Sequence, residues 1–398
     1  MGQGLLGTLL PVRATLEAFS TITIGAMGTG YFLGFTLGCL KGGELVRNVG
    51  HVRAFLAMAA LASAAPLVHS LILQPWAWIA LRLLTGFCLA VIYVVIESWI
   101  NERATNENRG LLFSAYAMLT LTVLAAGQLM TLLYEPTGMQ LFAVASVLVS
   151  VAAIPVALST SPMPNTPHAV SIDVPAMFSV APLGALGCLA TGLANGAFWA
   201  LAPVFTLGIS DDTAHAAWFM TFAVIGGAIA QWPLGILSDR IGRRPLLIAI
   251  PLAGSAVGVG LVAITGTASF AAISLLGAVW GMFAFPLYAI AVAYSNDYAG
   301  RYDYVTISSS LLLMYGIGAI VGPFAASAVI TGLGYRGLFI FSTTVHLLVA
   351  LYAIIRVTRV ALTEPEEKTA FSDALAATHT VSQVYEETIQ AEDSRPER

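Results

Sequence analysis

Apolar runs bounded by polar or charged positions recur along the whole of this 398-residue chain. They fall near 1–12, 20–40, 54–73, 77–100, 111–134 and 139–158, then near 182–207, 215–237, 245–265, 270–294, 305–331 and 336–357. Most are about 20 residues long, enough to cross ~30 Å of hydrocarbon. Backbone facing lipid must satisfy its own hydrogen bonds, so the pattern predicts helices packed against one another, an all-α integral membrane protein.

The pattern occurs twice. Gly4, Leu9 and Pro11 return 192 residues later as Gly196, Leu201 and Pro203, and Gly43-Glu44-Leu45…Gly50 returns as Gly235-Ile236-Leu237…Gly242. The offset then slips to 195: Gly86, Tyr93, Asn101-Glu102, Ser114 and Gly127 face Gly281, Tyr288, Asn296-Asp297, Ser309 and Gly322. Matches in order at two adjacent offsets imply two related six-helix halves. In so apolar a chain, that symmetry points to a secondary transporter with its pathway between the halves.

Composition agrees, with 58% hydrophobic and 10% charged residues, far from the soluble norm. Arg13 and Arg336 fall on one side of the predicted membrane, Arg82 lies within a span, and every other Lys and Arg falls on the opposite side. The positive-inside rule makes that richer side, and the carboxy terminus with it, cytoplasmic. The net charge of −4 belongs to the tail, where Glu364, Glu366, Glu367, Glu386 and Glu387 cluster. It implies no basic partner, and nothing in the composition suggests nucleic-acid binding.

The expected bundles are 1–158 and 181–358. Between them, 159–180 contains Pro162, Pro164, Pro167 and Pro175 and reads as a cytoplasmic linker unable to hold a helix. Residues 359–398 read as a solvated acidic tail without a transport role. Cys39, Cys88 and Cys188 stand alone in apolar segments, so neither a disulfide nor a metal site is expected, nor any other cofactor. No cleavable signal sequence is evident.

The sharpest motif is Gly235-Ile-Leu-Ser-Asp239-Arg240-Ile-Gly242-Arg243-Arg244. Gly235 would let a neighbouring helix approach closely and Gly242 would permit a tight reversal. Asp239 at a helix end could accept backbone or Arg hydrogen bonds and so favour one arrangement of the bundles. The arginines would sit at the anionic membrane surface. Its counterpart, Gly43-Glu-Leu-Val-Arg47-Asn-Val-Gly50-His51-Val-Arg53, puts Arg47 where Asp239 stands. Arg47 is therefore expected to seek a carboxylate.

The fourth span carries Arg82-Leu-Leu-Thr-Gly86-Phe-Cys-Leu-Ala90. At 100° per residue, Arg82, Gly86, Tyr93 and Glu97 fall within about 60° on one helix face. Arg82 is expected to point inward, serving proton coupling, anion attraction or bonds to backbone carbonyls. Glu97 lies 15 residues further, about 22 Å, too far to pair with it. It could form a gate salt bridge with Arg47 or Arg109, act as a titrating carboxylate, or be solvated at the interface.

These segments resemble a known family. GxLxDRxGRR is similar to motif A of the major facilitator superfamily, and RxxxGxxxA to a second pattern of that superfamily. Glu97-Ser-Trp-Ile-Asn101, Asn106-Glu-Asn-Arg109-Gly110, Ser295-Asn296-Asp297 and Leu313-Met-Tyr-Gly316-Ile-Gly318-Ala-Ile-Val-Gly322-Pro323 look like its YcaD-like subfamily. The likeness covers residues 1 to about 358. It implies the superfamily's fold of two pseudo-symmetric six-helix bundles, in a bacterial inner-membrane transporter. The Gly-Pro pair expected in the fifth span of antiporters is replaced by Gly127-Gln128 and appears at Gly322-Pro323 instead.

Tyr93, Gln128, Asn195, Trp199, Gln231, Trp280, Tyr288 and Tyr315 are candidate pathway residues, each also readable as a hydrogen-bonded packing residue. Such a lining suits a neutral or amphipathic solute better than a polyanion. His346 reads as a packing residue. The expected function is secondary transport of a small solute by rocking of the halves, proton-coupled, in a lipid-embedded monomer. A membrane sensor or scaffold on the same fold is the alternative. An enzyme is not expected, since no HExxH, GxSxG or intramembrane carboxylate pair occurs, and no GxxxxGK[ST] loop supports ATP-driven transport.

The first run is short, about 12 residues or ~18 Å against ~30 Å of hydrocarbon. That shortness predicts a natural start upstream of Met1, or a variant whose gap is filled by lipid, water or another subunit.

Overall fold

The computed structural model describes residues 1–105, 108–159, 164, 172–298 and 304–359, without the side chains at 109, 110, 304, 305 and 359. The first half comprises α1 (Gly2–Leu16), α2 (Thr21–Val49), α3 (His51–Leu71), α4 (Pro75–Arg103), α5 (Arg109–Leu129) with a closing 3-10 turn at Met130–Leu133, and α6 (Gln140–Ala157). After a short α7 (Val174–Val180), the second half comprises α8 (Pro182–Leu207), α9 (Ala214–Ile241), α10 (Arg243–Ile264), α11 (Phe270–Ala284), α12 (Leu287–Asp297), α13 (Tyr304–Leu333) and α14 (Gly337–Arg359). Eleven stretches are long and apolar enough to cross a membrane, with α11 and α12 counted as one.

Three expectations need correction. The first span runs to Leu16, 15 residues rather than about 12, because the turn follows Arg13 and Thr15 instead of preceding them. The linker is not wholly non-helical, since Asp173 caps α7 through the Ala176 N–H at 2.8 Å and Pro175 sits in its first turn, where a missing N–H costs nothing. The tenth span is broken at Phe285-Pro286, because Pro286 cannot donate to the preceding turn and instead starts α12. The matching position in the first half is Val91, and there α4 is continuous. The remainder of the linker, from 160 to 163 and 165 to 171, and the tail from 360 lie outside the described residues.

Two single residues join long antiparallel helices, and they are repeat mates. Gly50 (φ +89°, ψ 153°) separates α2 from α3, and Gly242 (φ +88°, ψ 160°) separates α9 from α10. A side chain in that left-handed region is strained, so glycine makes these reversals possible. The helix crossings repeat as well. A Cβ on Gly86 of α4 would meet the Tyr31 carbonyl of α2 at 2.0 Å, and one on Gly281 of α11 would meet the Ala223 carbonyl of α9 at 2.1 Å. These contacts bring backbone against backbone, the close approach by which membrane helices gain packing energy.

Because the spans alternate in direction, the bundle has a motif end, with Gly50 and Gly242, and a loop end, with the α1–α2 and α8–α9 connections. The halves meet toward the loop end. There Thr29 Oγ1 donates to the Ile320 carbonyl at 2.7 Å, and Thr221 Oγ1 donates to Gln128 Oε1 at 3.3 Å. A Cβ on Gly28 would come within 2.5 Å of Ala200 Cβ. Thr36 against Gly316, midway along α2 and α13, is the deepest of these approaches.

Candidate functional site

At the motif end of the second half, Arg243 is the residue everything else holds. As the first residue of α10 it has no intrahelical partner for its own end, and its guanidinium bonds to Asp297 at the foot of α12 and to Asp239 Oδ1 at 3.3 Å. The Arg243 and Asp297 side chains are 2% and 5% exposed, whereas Asp239 is 43% exposed. Arg244 bonds to the Tyr298 hydroxyl and lies 5.2 Å from that ring. Gly235 is buried, and Arg240 is exposed. Asp239 thus pairs with a cation of its own half, one helical turn away across Gly242. Asp297 carries the buried end of this network. In the sequence it stood out through the repeat match to Glu102 and the Ser295-Asn296-Asp297 segment, neither of which named its partner.

The first half substitutes every member. Asp239, Arg243 and Asp297 correspond by the repeat to Arg47, His51 and Glu102. His51 is buried, its ring 6.3 Å from Trp99, and Glu102 faces it. Arg47 and Arg53 are exposed, Gly43 is half-buried, and no carboxylate pairs with Arg47 among the described residues. The expected Arg47–Glu97 bridge is thus replaced. Glu97 is 3% exposed and within hydrogen-bonding reach of the Tyr116 hydroxyl of α5, near Tyr93 and Cys39. Helical phase turns Glu97 toward the interior and leaves Arg47 on the outer surface. Arg109 opens α5, but its side chain lies outside the described residues, as do Asn106 and Glu107.

Nearer the loop end, Arg82 is half-buried with its guanidinium centred 4.1 Å from the Tyr31 ring. The Tyr31 hydroxyl accepts a hydrogen bond from Gln3 Nε2 at 2.6 Å, tying α1, α2 and α4 together. Arg82 and Trp199 of α8 line one small cavity between the halves. Trp199 stacks on Phe285 at 5.4 Å and 10°, a ring presented by the break between α11 and α12. Tyr288 packs on Tyr315 at 4.8 Å. Asn195, one turn before Trp199, is 4% exposed, and Asn195 Oδ1 and the Tyr288 hydroxyl are buried without a hydrogen-bond partner among the described residues. Tyr93 and Gln231 are half-buried.

Two candidates lie elsewhere. Trp280 is fully buried among Phe198, Phe339 and His346, with ring centroids 4.8, 5.7 and 6.1 Å away, so it fills the core of the second half and does not line a pathway. Gln128 is 1% exposed and serves as the strut to Thr221 where the halves meet. Gln3, Tyr31 and Phe285 were not singled out from the sequence. The proline at 286, inside an apolar run, is the signal that could have found Phe285.

Two duplicated helical bundles packed around a polar and aromatic centre define a multi-pass membrane transporter architecture. The sequence pattern of the Major Facilitator Superfamily matches residues 1–210 and again 184–386, and the chain belongs to that superfamily. It is 30% identical over 323 residues to an MFS-type transporter of Enterobacter sp. (strain 638), covering 80% of this chain and 82% of the relative. It is 28% identical over 323 residues to the MFS-type transporter YcaD of Escherichia fergusonii, with the same coverage, 80% and 82%. This places it in the YcaD-like group. Among solved structures it is similar to the nucleoside transporter NupG (TM-score 0.75, 13% identity, 90% of this chain and 96% of that one). It is also similar to a bacterial homologue of the human lysosomal transporter Spinster in an inward-facing, occupied conformation (TM-score 0.71, 14% identity, 90% and 94%).

Proposed function

We propose that this protein is a proton-coupled secondary transporter of a small solute, working by alternating access as its halves rock about the polar centre. It acts as a monomer in a bacterial inner membrane with the motif end and the carboxy terminus cytoplasmic. In that orientation the inter-half contacts named above lie on the outward side of the centre. The observation that carries the reading is the placement of the inter-half contacts. Thr29–Ile320, Thr221–Gln128 and Gly28–Ala200 all lie between the loop end and the centre, with Arg82, Trp199 and the Tyr288–Tyr315 pair at their inner margin. Glu97, a buried carboxylate within a span, is the proton-carrying group of this scheme.

Pulsed dipolar spectroscopy on spin-labelled protein in proteoliposomes tests it. One label pair replaces the exposed Arg47 and Arg240 at the motif end, and another replaces Gln74 and Asp211 at the loop end. Shortening of the first distance together with lengthening of the second, under a solute or proton gradient, is expected. Invariance of both distances while flux is measured in the same vesicles rules out rocking.

A further inference from the structure

The centre contains a cation, Arg82, for which the described residues supply no carboxylate. Arg82 lies seven residues into α4, about 10 Å of helix from the loop end. A guanidinium keeps its charge in any protein environment. No carboxylate pairs with it among the described residues, and what it has is the face of Tyr31 at 4.1 Å. The electron-rich ring steadies the cation without cancelling its charge. Gln3 in turn holds the Tyr31 hydroxyl, so the ring, and with it the guanidinium, is fixed in place before any ligand arrives.

Across the same cavity stands the flat ring of Trp199, itself stacked on Phe285. One turn from Trp199 on the same face of α8, Asn195 has its side chain hydrogen-bonded to Tyr315, and its Oδ1 is a buried acceptor without a partner among the described residues. A fixed single positive charge, an aromatic wall and a spare acceptor call for complementary groups on one molecule. We propose that the centre binds an organic monoanion, its carboxylate taken by Arg82 beside Tyr31, its flat body laid along Trp199 and Phe285, and a donor group directed at Asn195. This rests on the transporter reading above and names its substrate class. A dianion such as a phosphate monoester would bring a second negative charge with no cation to meet it, and an amine would face Arg82 directly. The aromatic wall disfavours a small hydrated anion.

Thermal-shift titration of the purified full chain tests the proposal with 2-naphthoate, its neutral isostere 2-naphthamide, 2-naphthylmethylammonium and 2-naphthyl phosphate. Naphthoate should stabilise saturably, and the other three should bind about tenfold more weakly or worse. Arg82→Gln should reduce naphthoate to the level of the amide, whereas Trp199→Ala should weaken naphthoate and amide by the same factor. Should Arg82→Gln fail to fold, Arg82→Lys replaces it, since it keeps the charge and should keep the preference for carboxylate over amide at reduced affinity. Naphthamide binding as tightly as naphthoate, no saturable shift with naphthoate, or loss of the carboxylate preference in folded Arg82→Lys overturns the proposal. Counterflow in proteoliposomes separates the two readings. Carboxylate binding without flux supports this site and sinks the transporter reading. Flux of a neutral solute that survives Arg82→Gln unchanged does the reverse.

Discussion

Arg243 and Asp297 form an ion pair whose two side chains are sealed from solvent, and through it the turn at Gly242 is fastened to the end of α12. Removing Asp297 leaves the buried Arg243 guanidinium only the more exposed Asp239 of these two carboxylates, a loss that approaches the roughly 3–5 kcal/mol of a buried charge stripped of its partner. Asp297→Asn should therefore lower the unfolding temperature of the purified protein sharply. Asp239→Asn, at a carboxylate 43% exposed and 3.3 Å from the same guanidinium, should cost about 1 kcal/mol or less. Any transport defect of Asp239→Asn should then exceed its loss of membrane abundance, and equal flux at equal abundance removes Asp239 from the gating role.

Gly50 and Gly242 share one backbone conformation, so Gly50→Ala and Gly242→Ala should be penalised alike. An L-residue at positive φ with extended ψ costs roughly 1–3 kcal/mol, and among the described residues no neighbour lies within 4 Å of either Cβ position to add a clash. Matched stability losses, measured by chemical unfolding in one detergent, are expected. A loss confined to one variant would show that the two turns are not energetic equivalents.

Glu97→Gln should abolish the dependence of flux on a pH gradient while leaving solute exchange in the absence of a gradient largely intact, because the amide holds the hydrogen-bonding shape but carries no proton. Arg82→Ala should leave a residual pH dependence but weaken solute binding. Full pH dependence in both variants would exclude these two residues from coupling.

The two tryptophans of the second half should separate cleanly. Trp280→Ala opens a cavity in a sealed aromatic core and should cost about 3–5 kcal/mol in stability. Trp199→Ala, at a half-buried ring beside the pathway, should cost less in stability and more in binding. Paired unfolding and binding measurements check this. The reverse ranking would relocate the pathway.

Gly28 touches Ala200 across the closed end. Gly28→Leu should wedge the halves apart there, lengthening the Gln74–Asp211 label distance without solute. An unchanged distance with normal folding would mean that this contact does not define the closed end.

The membrane helices and the duplication were legible because hydrocarbon thickness and backbone satisfaction impose a period that survives any packing detail. The turn at Gly242 was legible for a similar local reason, as the motif names the one residue type the dihedral tolerates. What escaped was relational. Nothing in the spacing said that Arg243 would reach Asp297 as well as Asp239, since the two carboxylates are 58 positions apart in the chain. Nor did it say that Trp280 would point into its own bundle and Trp199 toward the other, because both sit in apolar helices whose inward faces differ only by rotation. Arg47 misled because its charge is visible in the sequence and its outward phase is not.

The one-residue join at Gly242 also sets the angular phase between two long rods. An inserted residue there would turn α10 by about 100° about its axis relative to α9. Arg243 would swing away from Asp297, and the seam formed by Leu246, Leu247 and Ile250 would rotate out into the acyl chains. Length at this position is therefore as strictly specified as identity. Epitope tags and fluorescent fusions should be tolerated at the wider connections of the loop end before they are tolerated here.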